Sequence, residues 1–191
     1  MSKFFAFLYR MKYIARWSLM RNTRTENVAE HSYYVAALAH ALAVIRRDVT
    51  GGAPVDPGKA AVCALYHDMS EILTGDMPTP IKYFNPDIRS AYQEIEKNAS
   101  KKLLSHLPAE LSASFDQALD ERDPDILSLV KAADKLSAYL KCIEERMAGN
   151  REFARAEAQT LEALRELRLA EVDYFLNNFV PAFSLTLDEL E

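Results

Sequence analysis

Apolar residues recur along much of this chain at spacings of three and four, which is the spacing of one α-helical face. The clearest such face contains His31, Val35, Leu38 and Leu42. Asn27 stands before this face as a helix cap, with Glu30 three residues further on in a capping-box arrangement. The pattern therefore predicts a helix that extends to about residue 47 and buries His31 at its start.

Another helix is predicted from about residue 57 to 73, because Asp56 and Pro57 form a helix start and the residues that follow are apolar on nearly all sides. Such a helix is expected in the centre of a fold. Residues 74–80 contain one glycine and two prolines, so they are predicted to form a loop over its end. Further helices are predicted near residues 4–11 and at about 86–106, 108–119, 124–148 and 150–178.

The whole pattern is typical of an all-α protein. No stretch of the sequence shows sustained alternation of apolar and polar residues, and Gly (5) and Pro (8) are sparse. Residues 15–26 lose the helical period and are predicted to form a polar, basic loop. At 191 residues the chain is long enough for one domain with a substantial core. We therefore predict a single-domain helical bundle over residues 1–191.

Composition and charge narrow the classes of function. Hydrophobic residues make up 49% and charged residues 27% of the chain, which is ordinary for a soluble protein. The net charge is −5 and no run of Lys or Arg exceeds two residues, so we expect no nucleic-acid-binding surface. The apolar run before Arg10 is too short for a secretion signal or a membrane span, so we expect a cytoplasmic protein with no membrane partner.

Two cysteines, Cys63 and Cys142, lie far apart within helical patterns. They lack the spacing of a zinc cluster. We expect reduced thiols in the core, with a disulfide between them as the alternative.

Two imidazoles and two carboxylates are predicted to face one core. His67 and Asp68 lie near the end of the predicted central helix, His31 begins the buried face, and Asp134 lies at the edge of an apolar face in the helix at 124–148. A carboxylate there is costly unless a cation or hydrogen bonds compensate it. These nitrogen and oxygen donors, without thiolate, suit a divalent ion with open water positions, such as Mn, Co, Ni, Fe or Mg. A metal-bound water of lowered pKa is the usual nucleophile in hydrolysis.

Other interpretations of these residues remain open from spacing alone. A single His at a helix start is most often a hydrogen-bonded core residue, and a single Asp is most often a cap or an ion-pair partner. Glu71, four residues after His67, is either a catalytic base or a hydrogen-bond partner of a ligating histidine. His40 is turned to the opposite side of its helix and His106 lies near a helix end, so we expect one metal ion rather than two.

The pattern formed by His31, the pair His67-Asp68, and Asp134 resembles the HD-domain superfamily of metal-dependent phosphohydrolases. Further motifs resemble the bacterial 5′-deoxynucleotidases over nearly the whole chain. These motifs are Arg16-Trp17, the run from Arg24 to Ser32, Tyr66-His67-Asp68-Met69-Ser70-Glu71, Thr74-Gly75-Asp76-Met77-Pro78-Thr79-Pro80, and Lys131-Ala132-Ala133-Asp134. The resemblance implies a homodimer that hydrolyses 2′-deoxyribonucleoside 5′-monophosphates, with Co²⁺ or Mn²⁺ favoured and Mg²⁺ or Zn²⁺ as alternatives.

The resemblance also implies roles for single residues. The metal ligands would be His31, His67, Asp68 and Asp134. Glu71 would orient and deprotonate the attacking water. Arg16 would lie at the sugar and disfavour ribose, and Trp17 would stack on the base or sugar. Asp76 would accept a hydrogen bond from the sugar 3′-hydroxyl and share the selection against ribose, and Thr79 would bind phosphate. The remaining substrate-binding residues would be Met77 and Pro78.

Two other functions are compatible with the same motifs. One is an HD-type hydrolase of guanosine polyphosphate alarmones or cyclic nucleotides, although the modest basic loop is a poor match for a more highly charged substrate. The other is a nucleotide sensor or helical scaffold without catalysis. A sensor would not need an acid such as Glu71 beside an open metal position.

Overall fold

The computed structural model describes residues 1–82, 84–119 and 121–191, and among these residues it contains helices and one isolated bridge between Ala15 and Asn27. The α-helices are α1 (Phe4–Leu8), α2 (Val28–Ile45), α3 (Pro57–Tyr66), α4 (Glu71–Thr74), α5 (Thr79–Lys82), α6 (Pro86–Leu104), α7 (Ala109–Leu119), α8 (Pro124–Met147), α9 (Ala154–Glu166) and α10 (Ala170–Asn178). Short 3-10 segments lie at Met11–Tyr13, Arg151–Phe153, Val180–Ser184 and Leu187–Glu189. The predicted all-α fold class is confirmed.

The start of α2 follows from its sequence. The Asn27 side chain accepts the backbone N–H groups of Ala29 and Glu30 at 3.0 Å each, and the Glu30 carboxylate accepts the N–H of Asn27 at 3.3 Å. This capping box satisfies N–H groups that have no partner inside the helix. The predicted face of α2 is buried, including His31 at 0% exposure, and the helix continues after Ile45 as a π-helical turn.

The main core forms where α2 packs against α3 and α8. Residues from α9 and α10 extend it, notably Leu164, Val172 and Phe175. A smaller apolar cluster joins α1 to the end of α6 through Phe4 and Leu103. The expectation that the helix after Asp56 is buried on nearly all sides is wrong, because α3 packs against α2, α8 and α7 but leaves Val62 and Leu65 exposed. In the described part of the chain, one helical stretch, Val28–Thr50, is long and apolar enough to span a membrane by length and composition, and half of its most apolar 18 residues are buried inside the fold.

The two thiols are buried and unpaired, as predicted. Burial raises the pKa of Cys63 to about 11 and that of Cys142 to about 12, so both stay protonated at neutral pH.

The helix predicted at 150–178 is interrupted. It consists of a 3-10 turn followed by α9 and α10, and the break between them contains Arg168 at φ +52°. Leu164 of α9 and Val172 of α10, on either side of this break, are both buried in the main core. A non-glycine residue in the left-handed region leaves no signal in the sequence, so the prediction of one continuous helix is wrong.

Candidate metal centre and substrate cavity

The chain leaves α-helical geometry where the HD pair lies. Because α3 ends just before His67 and α4 begins at Glu71, the predicted continuous helix over 57–73 is wrong. The cause is local. The Nδ1 atom of His67 donates to the carbonyl oxygen of Ala64 at 2.7 Å, and a continuing helix would need that oxygen to accept the backbone N–H of Asp68.

His31 and Asp134 meet across the contact between α2 and α8. The Nε2 atom of His31 lies 3.1 Å from Oδ1 of Asp134, whose side chain is 41% exposed and so lies at the edge of the core. The Nδ1 atom of His31 lies 3.2 Å from Oγ of Ser137, which orients the ring from behind. Sequence reasoning misses Ser137, and its only signal is the spacing of three residues from Asp134.

The side chains of His31, His67 and Asp134 each offer one ligand atom, and these atoms lie within 4.8 Å of one another, close enough to bind one cation. Asp68 adjoins them, with Oδ2 at 3.6 Å from Nε2 of His31 and 3.1 Å from Nε2 of His67. The buried Nε2 of His67 makes no hydrogen bond of good geometry to the described residues, so its 3.1 Å approach to Asp68 is an ion-pair contact only. Because Nδ1 is bonded to the carbonyl oxygen of Ala64, Nε2 is the ring nitrogen that remains to bind a cation, and the donor set fits a divalent metal ion.

Charge in this cluster is balanced between carboxylates and imidazoles. Burial alone would lower the pKa of His67, but Asp68 and Asp134 outweigh it and hold that pKa at about 9. Burial would raise the pKa of both carboxyl groups, but the imidazoles of His31 and His67 keep both values below the usual range. The carboxylates are therefore ionised at neutral pH, and a divalent cation competes with the proton on His67.

Glu71 lies at the start of α4, directly after the HD turn. It is 5% exposed, and its Oε2 atom has no hydrogen-bond partner among the described residues. Burial, followed by the charges of Asp68 and Asp76, raises the pKa of Glu71 to about 9. A buried carboxyl group with a free oxygen and a raised pKa beside a candidate metal centre is typical of a general acid or base.

Arg16 is the last residue of a short backbone pairing between residues 14–16 and residues 26–28, and Trp17 directly follows it. The guanidinium of Arg16 donates from Nε to Glu26 at 3.2 Å and from Nη1 to Asp68 at 3.3 Å. The indole Nε1 of Trp17 donates to the same Glu26 oxygen at 3.1 Å, and its ring centroid lies 5.2 Å from that of Phe153. Arg16 therefore connects the metal cluster to the residues that line the neighbouring cavity.

A cavity of about 730 Å³ opens beside Asp134, a size suited to a small-molecule ligand. The predicted substrate-binding residues all line it: Arg16, Trp17, Asp76, Met77, Pro78 and Thr79. One face of α9 forms another wall, which sequence reasoning does not assign: Arg155, Ala156, Gln159, Thr160 and Ala163. Their helical spacing was the available signal, but it is also typical of any solvated face.

The loop over the cavity lies between α4 and α5 and is bound to the rest of the fold at Gly75. Gly75 ends α4 at φ +74°, a conformation that favours glycine, and its carbonyl oxygen accepts the Tyr92 hydroxyl at 3.3 Å. A short helix, α5, begins at Thr79, so the predicted loop over 74–80 is confirmed only between α4 and α5. Burial raises the pKa of Asp76, and Arg16 opposes that shift.

The chain matches a known protein family over most of its length. The model of the family described as 5′-deoxynucleotidase YfbR-like matches residues 3–183. The chain belongs to this family. Among YfbR-like relatives, the 5′-deoxynucleotidase yfbR of Photorhabdus temperata is 54% identical over 192 residues, which cover 100% of this chain and 97% of that protein. The family resemblance inferred from the motifs is therefore confirmed.

Solved structures agree on the fold of this YfbR-like chain. An HD-domain phosphohydrolase from Listeria innocua has a TM-score of 0.82 and 27% identity, covering 95% of this chain and 88% of that one. A cyanophage S-2L HD phosphohydrolase bound to dA and one catalytic Zn²⁺ ion has a TM-score of 0.69 and 20% identity, covering 92% and 95% of the two chains. At that identity the second likeness concerns the fold, and the predicted HD-type helical fold is confirmed.

Proposed function

We propose that this chain is a metal-dependent 5′-deoxynucleotidase that hydrolyses 2′-deoxyribonucleoside 5′-monophosphates to deoxyribonucleosides and phosphate. The observation that carries the proposal is the convergence of His31, His67 and Asp134 within 4.8 Å, with Asp134 lining a cavity of nucleotide size. The Photorhabdus temperata 5′-deoxynucleotidase, which matches the chain over its full length, supports this choice of reaction.

The ligands of one divalent ion would be His31, His67, Asp68 and Asp134. When bound, such an ion offsets negative charge on a phosphate oxygen and lowers the pKa of a bound water. Co²⁺ or Mn²⁺ is the activator that the family resemblance favours, with Mg²⁺ or Zn²⁺ as alternatives. The imidazole and carboxylate donors support this group of metals over those that require thiolates.

Glu71 carries the proton in the reaction. Its Oε2 takes a proton from the attacking water while the water oxygen bonds to phosphorus and the bond from phosphorus to O5′ breaks. That proton then passes to O5′ of the departing deoxyribonucleoside, which leaves phosphate as the second product. The unpartnered, buried Oε2 supports this role. The raised pKa means that the ionised form of Glu71 is a stronger base than an ordinary carboxylate, and that the acid form, which predominates at neutral pH, can donate its proton to O5′.

Sugar selection falls to Arg16 and Asp76. Asp76 would accept a hydrogen bond from the 3′-hydroxyl, and the fixed guanidinium of Arg16 would leave no room for a 2′-hydroxyl. Trp17 would stack on the base or sugar, which permits all four common bases because stacking reads no base edge. Thr79 would bind phosphate, with Met77 and Pro78 beside it. All these side chains line one cavity, which supports the assignment.

The proposed enzyme is a cytoplasmic homodimer with no nucleic-acid or membrane partner. The family resemblance supports the dimer, and the net charge of −5 supports the lack of a nucleic-acid surface. Light scattering on the purified chain tests the dimer, and a monomer at every concentration used would remove it.

The function is tested by phosphate release from matched pairs, dAMP with AMP and dCMP with CMP. Metal-stripped protein receives Co²⁺, Mn²⁺, Mg²⁺ or Zn²⁺. We expect metal-dependent release from the deoxy substrates and much less from the ribonucleotides. Equal release from both sugars would leave a hydrolase without sugar selection, and no release with any metal would overturn the proposal.

A further inference from the structure

A carboxylate outside the assigned site residues binds both Arg16 and Trp17. Oε2 of Glu26 accepts hydrogen bonds from Nε of Arg16 at 3.2 Å and from Nε1 of Trp17 at 3.1 Å. The backbone carbonyl of Glu26 also accepts the N–H of Arg16 at 3.0 Å. The Glu26 side chain is only 12% exposed, so water competes weakly for these bonds.

Arg16 is fixed at two nitrogens. Nε bonds Glu26 and Nη1 bonds Asp68, so the plane of the guanidinium is set before any nucleotide binds. Both contacts involve an ionised group, and bonds of this kind are stronger than neutral ones. Without Glu26, the guanidinium would keep only its contact with Asp68 and could rotate about it.

Trp17 needs an external partner because its backbone is strained. Its φ of +57° lies in the left-handed region that bulky residues rarely adopt. The conformation is held by the bond from the indole to Glu26, by the Met20 N–H, which donates to the Trp17 carbonyl at 2.9 Å, and by the ring of Phe153. Glu26 is the ionised group among these partners.

Glu26 does not line the substrate cavity itself. It lines a separate cavity of about 450 Å³ and not the cavity of about 730 Å³ that Arg16 and Trp17 line. It therefore has no direct access to a bound nucleotide, and any influence on the nucleotide passes through the two side chains that it binds.

From these contacts we infer that Glu26 is a positioning residue for sugar selection, which holds Arg16 and Trp17 in the arrangement that accepts deoxyribose and excludes ribose. The inference rests on the proposed 5′-deoxynucleotidase function. It predicts that loss of Glu26 relaxes the choice of sugar while the metal centre and the proton transfer at Glu71 are preserved.

Steady-state kinetics of the metal-loaded Glu26→Ala protein test this inference with dAMP and AMP. We expect KM for dAMP to rise and the ratio of kcat/KM for dAMP over AMP to fall, each by about tenfold, while kcat for dAMP stays within about threefold of wild type. Glu26→Gln retains a carbonyl acceptor and should recover part of the ratio. An unchanged ratio in both variants would overturn the inference.

A double-mutant cycle shows whether Glu26 acts through Arg16. Arg16→Ala alone should lower the sugar ratio, and adding Glu26→Ala to it should change the ratio by less than about twofold. Fully additive losses would overturn the inference. Glu162→Ala, an exposed glutamate on α9, is the matched control and should leave both the ratio and KM at wild-type values.

Two physical measurements separate positioning from misfolding. Trp17 is the only tryptophan, so its fluorescence should shift in Glu26→Ala and not in Glu162→Ala, while bound metal per chain stays unchanged. If Glu26→Ala is too unstable to assay, Glu26→Gln supplies the same readouts. Failure of the wild-type protein to hydrolyse dAMP would reject the proposed function, whereas wild-type selectivity in active Glu26 variants would reject only this inference.

Discussion

His67 donates from Nδ1 to the carbonyl oxygen of Ala64 at 2.7 Å, and this one contact both ends α3 and leaves Nε2 as the ring nitrogen available to the metal cluster. In His67→Asn, a short amide can still donate to Ala64 but no second nitrogen remains. We therefore expect an intact helical fold by circular dichroism and a loss of metal affinity of more than about 100-fold by metal titration. His40→Asn, on the exposed side of α2, is the control, and equal metal binding in the two variants would contradict the ligand assignment.

Glu71→Gln tests the proton-transfer role. The amide is nearly the same size but cannot take a proton from water, so kcat should fall by about 10²–10⁴-fold. Metal content should stay at the wild-type level, because Glu71 is not a proposed ligand. If kcat falls by less than about threefold, Glu71 is not the base, and the other interpretation, a hydrogen-bond partner of a ligating histidine, takes its place.

Asp76→Ala tests the contact with the sugar. Loss of the carboxylate removes the proposed acceptor for the 3′-hydroxyl, so kcat/KM for dAMP should fall by about tenfold or more. Matched assays with 2′,3′-dideoxyadenosine monophosphate provide the control, since that substrate has no 3′-hydroxyl and should be cleaved equally by both proteins. A similar loss for both substrates would show that Asp76 acts in another way.

Arg46→Ala tests a buried ion pair far from the cavity. Arg46 and Glu171 have side chains 7% and 4% exposed, and Nε of Arg46 lies 2.8 Å from Oε1 of Glu171. Removing the cation leaves Glu171 buried without its partner, so urea unfolding should show a loss of about 3–5 kcal/mol. The double variant with Arg46→Met and Glu171→Leu should recover most of that loss. Failure to recover it would show that the ion pair stabilises the fold more than apolar side chains do in its place.

Glu145 makes the segment between Trp17 and α2 sensitive to acid, because it binds Thr23 and Arg24 of that segment. It is buried and accepts bonds from Lys141 at 2.6 Å, from the N–H of Thr23 at 2.9 Å, and from Asn150 at 2.8 Å. Burial would raise the pKa of Glu145, but these partners hold it at about 2, below the ordinary 4.5. Because the folded-state pKa is lowered, this stabilisation is complete above pH 4.5 and is lost as the pH falls toward 2.

Glu145→Gln tests this acid dependence. It should lower the free energy of unfolding at neutral pH by about 1–3 kcal/mol and weaken the acid dependence below about pH 4.5. Urea unfolding at several pH values measures both effects, with Glu162→Gln as the exposed control. An acid dependence equal to wild type would assign the acid sensitivity to other carboxylates.

Where structure depends on neighbours in sequence, the sequence predicts it well. The start of α2 is one case, because the cap at Asn27, the acid at Glu30 and the apolar spacing after them all act within a few residues. His31, His67 and Asp134 come together for a related reason, since His31 and Asp134 lie on helices whose buried faces the apolar pattern already indicates and His67 directly follows a third helix.

The failures occur where a side chain or a distant contact overrides the local pattern. The ring of His67 takes a backbone acceptor, and the residues after it remain helical in pattern although the helix has ended. Arg168 breaks the helical pattern in the left-handed region without a glycine, and the buried Val172 follows in the next helix. Glu26 and Ser137 likewise become recognisable only once folding brings them to Arg16 and His31.

The left-handed backbone of Trp17 carries a steric cost that glycine would not have. A glycine there would adopt φ +57° without steric cost, whereas tryptophan gives up about 1 kcal/mol or more. Replacing the indole would relieve that strain but would also remove the bond to Glu26 and the contact with the buried Phe153, and losing a packed aromatic side chain costs more than about 1 kcal/mol. Glycine at this position is therefore not a route to heat resistance, and the strained residue is retained for packing as well as for its place in the cavity wall.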